Sequence, residues 1–185
     1  MYKFILVGLL FLSIQANATK PVKKLSLPLV CATIPSIEEQ LCYSSTNSSY
    51  GPYDDVVFYK IDKYGEEVLL GSQSGGVATF GGFDFSLGGR YMWVSWAEEG
   101  HPFFEFYRTN DFLENGIKSK SLEVLGDYYF EQFTQFSENG NVAYSLTEGA
   151  FENCKDAGDG ARESIDSETS KKNCIKQFNI ESDKN

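Results

Sequence analysis

Three observations on the sequence predict an all-β protein built from about three four-stranded antiparallel sheets. Short runs rich in Val, Phe, Tyr and Trp alternate with Gly, Asn and Asp clusters, the pattern of strands and turns. Those runs recur at an interval of roughly fifty residues, the sign of a duplicated unit. Helical periodicity is almost absent; only Ser36-Ile37-Glu38-Glu39 matches the S-x-x-E capping box and predicts one short helical turn before Leu41.

Taken in order, residues 1–18 read as a signal peptide: Lys3, an apolar run Phe4–Leu12, then Ala16-Asn17-Ala18 at a small-x-small cleavage site. The short leader reads as bacterial and predicts a periplasmic or secreted product, a eukaryotic secretory signal being the alternative. Residues 19–185 then form a single all-β domain, with 19–30 as a leader segment. Strands are expected over Asp55–Asp62, Glu67–Leu70, Val77–Phe85, Arg90–Ala97, Phe103–Thr109, Ser119–Leu125, Tyr128–Phe136 and Asn141–Leu146. Arg90–Ala97 is apolar on both faces, so its sheet should be covered on both sides. Residues 155–173 carry almost no hydrophobic side chain and predict an acidic polar loop. The four cysteines of an exported chain predict a disulfide framework. Short-loop closure favours Cys31–Cys42 with Cys154–Cys174, the alternative joining the N-terminal cysteines to the C-terminal ones. Zinc is the competing use, but there is no C-x-x-C pair and His101 is the one histidine.

The repeat is specific at the level of residues. Phe83-Asp84-Phe85-Ser86-Leu87-Gly88-Gly89 recurs as Gln135-Phe136-Ser137-Glu138-Asn139-Gly140, and each enters an aromatic strand, Tyr91–Ser95 and Val142–Ser145. Leu41–Ser44 supplies an earlier copy of that strand. Val57–Lys60 matches Glu105–Arg108, Glu67–Gly71 matches Glu123–Gly126, and Ile175–Ile180 is a third, weaker copy of the Phe-Tyr strand. This F-S-x-x-G turn, followed by an aromatic and then a tyrosine-bearing strand, resembles the blades of TolB-type β-propellers. The resemblance is good over Leu41–Gly126 and poor over Phe133–Ile180. It departs from the family where Leu87-Gly88 and Glu138-Asn139 replace Pro-Asp. It implies three propeller-like sheets, tied by disulfide and arranged compactly or as a partly open propeller. An ordinary β-sandwich with chance similarity between hairpins is the competing reading.

The chain carries 26 Asp+Glu against 16 Lys+Arg, a net charge of -10, and loss of Lys3 with the signal makes the product one unit more negative. Such a surface repels phosphate backbones, so no nucleic-acid partner is expected. No later apolar run approaches the roughly 20 residues of a membrane helix, so no membrane insertion is expected after cleavage. No catalytic residue set, cofactor or metal site is expected. G-x-S-x-G, H-E-x-x-H and nucleotide-binding signatures are missing, and His101 lies in the turn Glu98-Glu99-Gly100-His101-Pro102. A weak metal site at Glu98, Glu99 and His101 competes there with a merely solvated turn.

Strand parity sorts the loops onto two ends. Lys63–Gly65, Leu87–Gly89, Glu138–Gly140 and Asn110–Gly116 share one end, with Phe112 and Leu113 either folded back onto the sheet or exposed as a second contact. Ser45–Tyr53, Glu98–Pro102 and the segment from Thr147 onward share the other. There Tyr50, Tyr53 and Phe103 offer aromatic anchors, His101 lies between, and Glu98 and Glu99 offer charge for a basic partner. Export, size, rigidity, acidity and the missing catalytic set together suggest a non-catalytic inhibitor. Its expected partner is a basic envelope-acting hydrolase or toxin, in the manner of an immunity protein. The alternatives are an accessory module of an envelope complex, as the TolB resemblance implies, and a carbohydrate-binding or hydrolytic domain using Trp93, Trp96 or the tyrosines.

Overall fold

The structure, a computed structural model, describes residues 29–47, 54–73, 78–98, 100–147, 154, 161–165 and 172–182. The expected signal segment, most of the leader, Tyr50, Tyr53, Glu99 and much of 155–173 lie outside the described residues.

Among the described residues, twelve strands form three four-stranded antiparallel sheets. The N-terminal sheet is a meander of β1 (Val30–Thr33), β2 (Gln40–Asn47), β3 (Asp54–Ile61) and β4 (Glu67–Gln73). The middle sheet repeats that order with β5 (Thr79–Phe85), β6 (Tyr91–Glu98), β7 (His101–Arg108) and β8 (Glu123–Gly126). The third contains β9 (Phe130–Phe136), β10 (Asn141–Leu146), β11 (Arg162–Ile165) and β12 (Lys172–Asn179), but in the spatial order β11-β12-β10-β9. The residue matches read from the sequence occupy equivalent places. Leu41–Ser44, Tyr91–Ser95 and Val142–Ser145 lie in β2, β6 and β10, and Val57–Lys60, Glu105–Arg108 and Ile175–Asn179 in the strands paired with them, β3, β7 and β12.

The middle sheet is the centre of the molecule because β6 is apolar on both faces. Met92, Val94 and Trp96 pack with Leu41, Val56 and Phe58 of the N-terminal sheet. Tyr91 and Trp93, with Phe104 and Phe106 of β7, pack against Val142, Phe133, Phe136 and Phe178 of the third sheet. Edge-to-face rings join the layers, with Phe58–Phe80 at 5.6 Å on one side and Phe104–Phe133 at 4.7 Å on the other. Glu105 enters the first interface and accepts hydrogen bonds from Trp96 Nε1 and Tyr107 Oη, each 3.0 Å, so the polar tips of both aromatic residues are satisfied. The sheets stack like propeller blades and do not close into a ring.

The stack is pinned at one end by its repeated turns. Gly89 N–H bonds Ser86 O and Gly140 N–H bonds Ser137 O, at 2.8 and 3.0 Å. Gly89 has φ +81, and a Cβ there would lie 2.4 Å from Pro35 O, so the β1–β2 and β5–β6 turns approach at a distance only glycine permits. Glu138 crosses to the next sheet and accepts from Gly88 N–H (2.8 Å) and Arg90 N–H (3.2 Å). Burial pushes its carboxyl up. Those bonds, one from Ser86 and the Arg90 charge outweigh burial and hold it below the usual range.

Four expectations are corrected. Ser36-Ile37-Glu38-Glu39 is a turn closed by Ile37 N–H to Ile34 O; Ser36 has φ +70, which an N-cap residue does not adopt. The Asn110–Gly116 connection contains a helix, α1 (Thr109–Asn115), followed by a 3-10 turn over Gly116–Lys118. Phe112 and Leu113 fold back from it into the core beside Phe58 and Tyr107, the first of their two expected placements. The expected polar loop contains β11, which pairs with β12 at the sheet edge and needs no apolar alternation there. Residue 30, placed in the leader, opens β1.

Candidate functional site

The β6–β7 hairpin and the β8–β9 connection rise side by side at the end opposite the pinned turns. Phe103 pairs with Gly126 in register, which brings the residues flanking each strand end together. Between them lies an open cleft of about 520 Å³, lined by Glu98, His101, Pro102, Phe103, Gly126, Asp127 and Tyr128. The structure thus unites Glu98, His101 and Phe103 of the expected surface. Tyr50, Tyr53 and Glu99 lie outside the described residues. Joining Glu98, His101 and Phe103 are Asp127 and Tyr128, two residues that the expected surface does not include. A Gly-Asp-Tyr-Tyr run after a fourth strand is the only local signal for them, and their nearness to His101 is purely tertiary.

The walls are aromatic. The His101 ring lies 4.0 Å from that of Tyr128, tilted by 36°, and Tyr128 meets Tyr129 edge-on at 5.2 Å. Tyr128 remains 65% exposed, an outlay of apolar surface that sheet packing does not account for. Of the other candidate platforms, Trp96 is buried in the core on Phe80, and Trp93 is half-buried and packs on Phe104 and Phe133.

Asp127 is the anchor of the cleft. Its carboxylate accepts from Lys176 Nζ of β12 (3.0 Å), Tyr144 Oη of β10 (2.9 Å) and Tyr129 N–H (3.1 Å). Burial raises its pKa, but the lysine, the backbone amide and the phenol favour the charged form more strongly, so the carboxyl titrates below its usual range. Tyr144 shifts the opposite way, raised by burial and by its bond to Asp127. The connection between the middle and third sheets is thereby fixed by one ion pair and two hydrogen bonds, and the Tyr128 ring is presented on a rigid base.

Asp127 is committed to a structural network, and the imidazole of His101 rests on a phenol ring rather than beside a nucleophile. Among the described residues no group of three or more His, Cys, Asp or Glu is placed to hold a metal ion, and no helix is long and apolar enough to cross a membrane. Cys31 and Cys42 form a disulfide across β1 and β2. The other expected pair is not joined: Cys154 and Cys174 are free thiols within hydrogen-bonding reach of each other. No protein-family model matches this chain, and no curated protein matches it.

Proposed function

We propose that the chain is an exported, non-catalytic protein-binding domain that inhibits a basic envelope-acting enzyme or toxin, in the manner of a periplasmic immunity protein. The observation that carries this reading is the exposed aromatic cleft, with Glu98 at its rim, on the end of a rigid three-sheet stack. Large aromatic side chains held at low entropic cost are the residues that dominate protein-binding surfaces. A net charge of -10 would steer a cationic hydrolase toward it and raise the association rate. The N-terminal signal pattern and the Cys31–Cys42 disulfide support an oxidising compartment, the periplasm or the exterior. Immobilised protein incubated with periplasmic extract should retain a cell-wall-degrading hydrolase or a toxin whose activity falls as complex forms. Full activity in the saturated complex would end the inhibitor reading.

A second reading, an accessory module of an envelope complex related to TolB-type propellers, draws on the three blade-like sheets and their shared turns. It predicts capture of a structural partner and no enzyme.

A further inference from the structure

We propose that the cleft between the β6–β7 hairpin and the β8–β9 connection is a socket for a single arginine side chain of the partner. This rests on the reading above and specifies the chemistry by which that site recognises a basic protein. The electrostatics of the cleft point to a cation. Asp127 is balanced by Lys176 at 3.0 Å, which among the described residues of the cleft leaves Glu98, exposed at the mouth, as the rim carboxylate available to a ligand. The whole chain, at -10, adds a long-range field of the same sign.

Shape selects arginine over lysine. His101, 4.0 Å away, covers one face of the Tyr128 ring, and the ring, still largely exposed, offers its other face. A planar guanidinium stacks on such a face and still directs N–H groups sideways to a carboxylate, which a compact, strongly hydrated ammonium does less well. Phe103 and Pro102 offer apolar wall for the methylene stem. Gly126 keeps the floor low: a Cβ added there meets Phe103 Cβ at 4.0 Å, an ordinary contact, so a larger side chain at this position fills the cleft without straining β8.

The test uses the full chain, isotopically labelled, titrated by NMR with Nα-acetyl-arginine methyl ester. The lysine and citrulline analogues and N-acetylglucosamine serve as comparison probes. The arginine probe should shift Glu98, His101, Gly126 and Tyr128 resonances with Kd on the order of 1–10 mM, as suits one side chain. Lysine should bind more weakly, and neutral citrulline and the sugar should leave the cleft unshifted. Glu98→Gln should weaken arginine binding about fivefold and Tyr128→Ala about threefold, whereas Tyr128→Phe should retain it. Gly126→Val, which leaves the carboxylate and both rings in place, should abolish it. Equal shifts by citrulline, preference for the sugar, or indifference to these substitutions would overturn the socket. If the arginine probe fails while the chain still captures a hydrolase that Tyr128→Ala releases, the socket is wrong and the protein-binding reading stands. If the chain captures no hydrolase at all, the protein-binding reading fails with the socket; if capture survives Tyr128→Ala, the partner docks elsewhere and only the socket is wrong.

Discussion

Replacing Asp127 by Asn should cost about 2 kcal/mol of folding stability, because this carboxylate joins two sheets through a partly buried ion pair. Its side chain is 12% exposed and that of Lys176 24%, so the pair is neither fully screened nor fully desolvated. A hydrogen bond to a charged group contributes about 1.5–3 kcal/mol when buried, and the residual exposure here places the loss in the lower part of that range. Lys176→Met should cost less, about 1 kcal/mol, since Tyr144 Oη and Tyr129 N–H still hold the carboxylate. The two losses share one interaction, so the double variant should lose about 2 rather than 3 kcal/mol. Urea unfolding at constant m-value measures all four proteins. The pH dependence gives a second reading. Asp127 titrates below its ordinary value of 3.8 in the folded state, so its stabilisation is complete above that value. It disappears as the pH falls through the lower, folded one. The gap between wild type and Asp127→Asn should therefore close on acidification below about pH 4. Additive single losses, or a gap that stays constant through that window, would refute the account of the anchor.

Further outcomes follow from the same structure. Phe106→Ala empties a fully buried site that meets Phe136 and Phe178 at 5.7 and 5.6 Å, and should cost about 3–5 kcal/mol in urea unfolding. Gly116→Ala places a Cβ 1.7 Å from Leu70 O at φ +60, so the carbonyl of β4 must move; a loss of about 2–4 kcal/mol is expected from its thermal midpoint. Burial and the neighbouring Cys154 push the Cys174 thiol up to about 11, so it should react slowly with a thiol reagent at neutral pH. Prolonged oxidation with a disulfide reagent should nonetheless join it to Cys154, seen as a new cross-linked peptide.

The parts of the fold legible in the sequence are those written locally. Tyr91–Ala97 shows apolar residues on both faces, and that alone places its sheet in the middle of a stack. Phe85-Ser86 and Phe136-Ser137 with their glycines mark turns that the structure closes with the same hydrogen bond. The strand order of the third sheet could not be read the same way. β11 is Arg-Glu-Ser-Ile, a polar edge segment that enters the chain before β12 yet lies outside it, and nothing local distinguishes a strand inserted at an edge from a solvated loop. The helix was hidden for a related reason. Thr109–Asn115 is seven residues long with no side-chain N-cap, and burial of Phe112 and Leu113 holds it in place rather than propensity. At the site, Glu98, His101 and Phe103 were legible as a hairpin tip. Tyr128 reaches His101 only because β7 and β8 pair in a register that brings their ends together.

The most direct test of the central claim is calorimetric titration of a captured basic hydrolase with the wild-type chain and with Tyr128→Ala, monitoring hydrolase activity in the same samples. The account predicts stoichiometric inhibition by wild type and an affinity at least about tenfold weaker for the variant, since an exposed aromatic anchor is removed. Equal affinity and equal inhibition by the two proteins would contradict it.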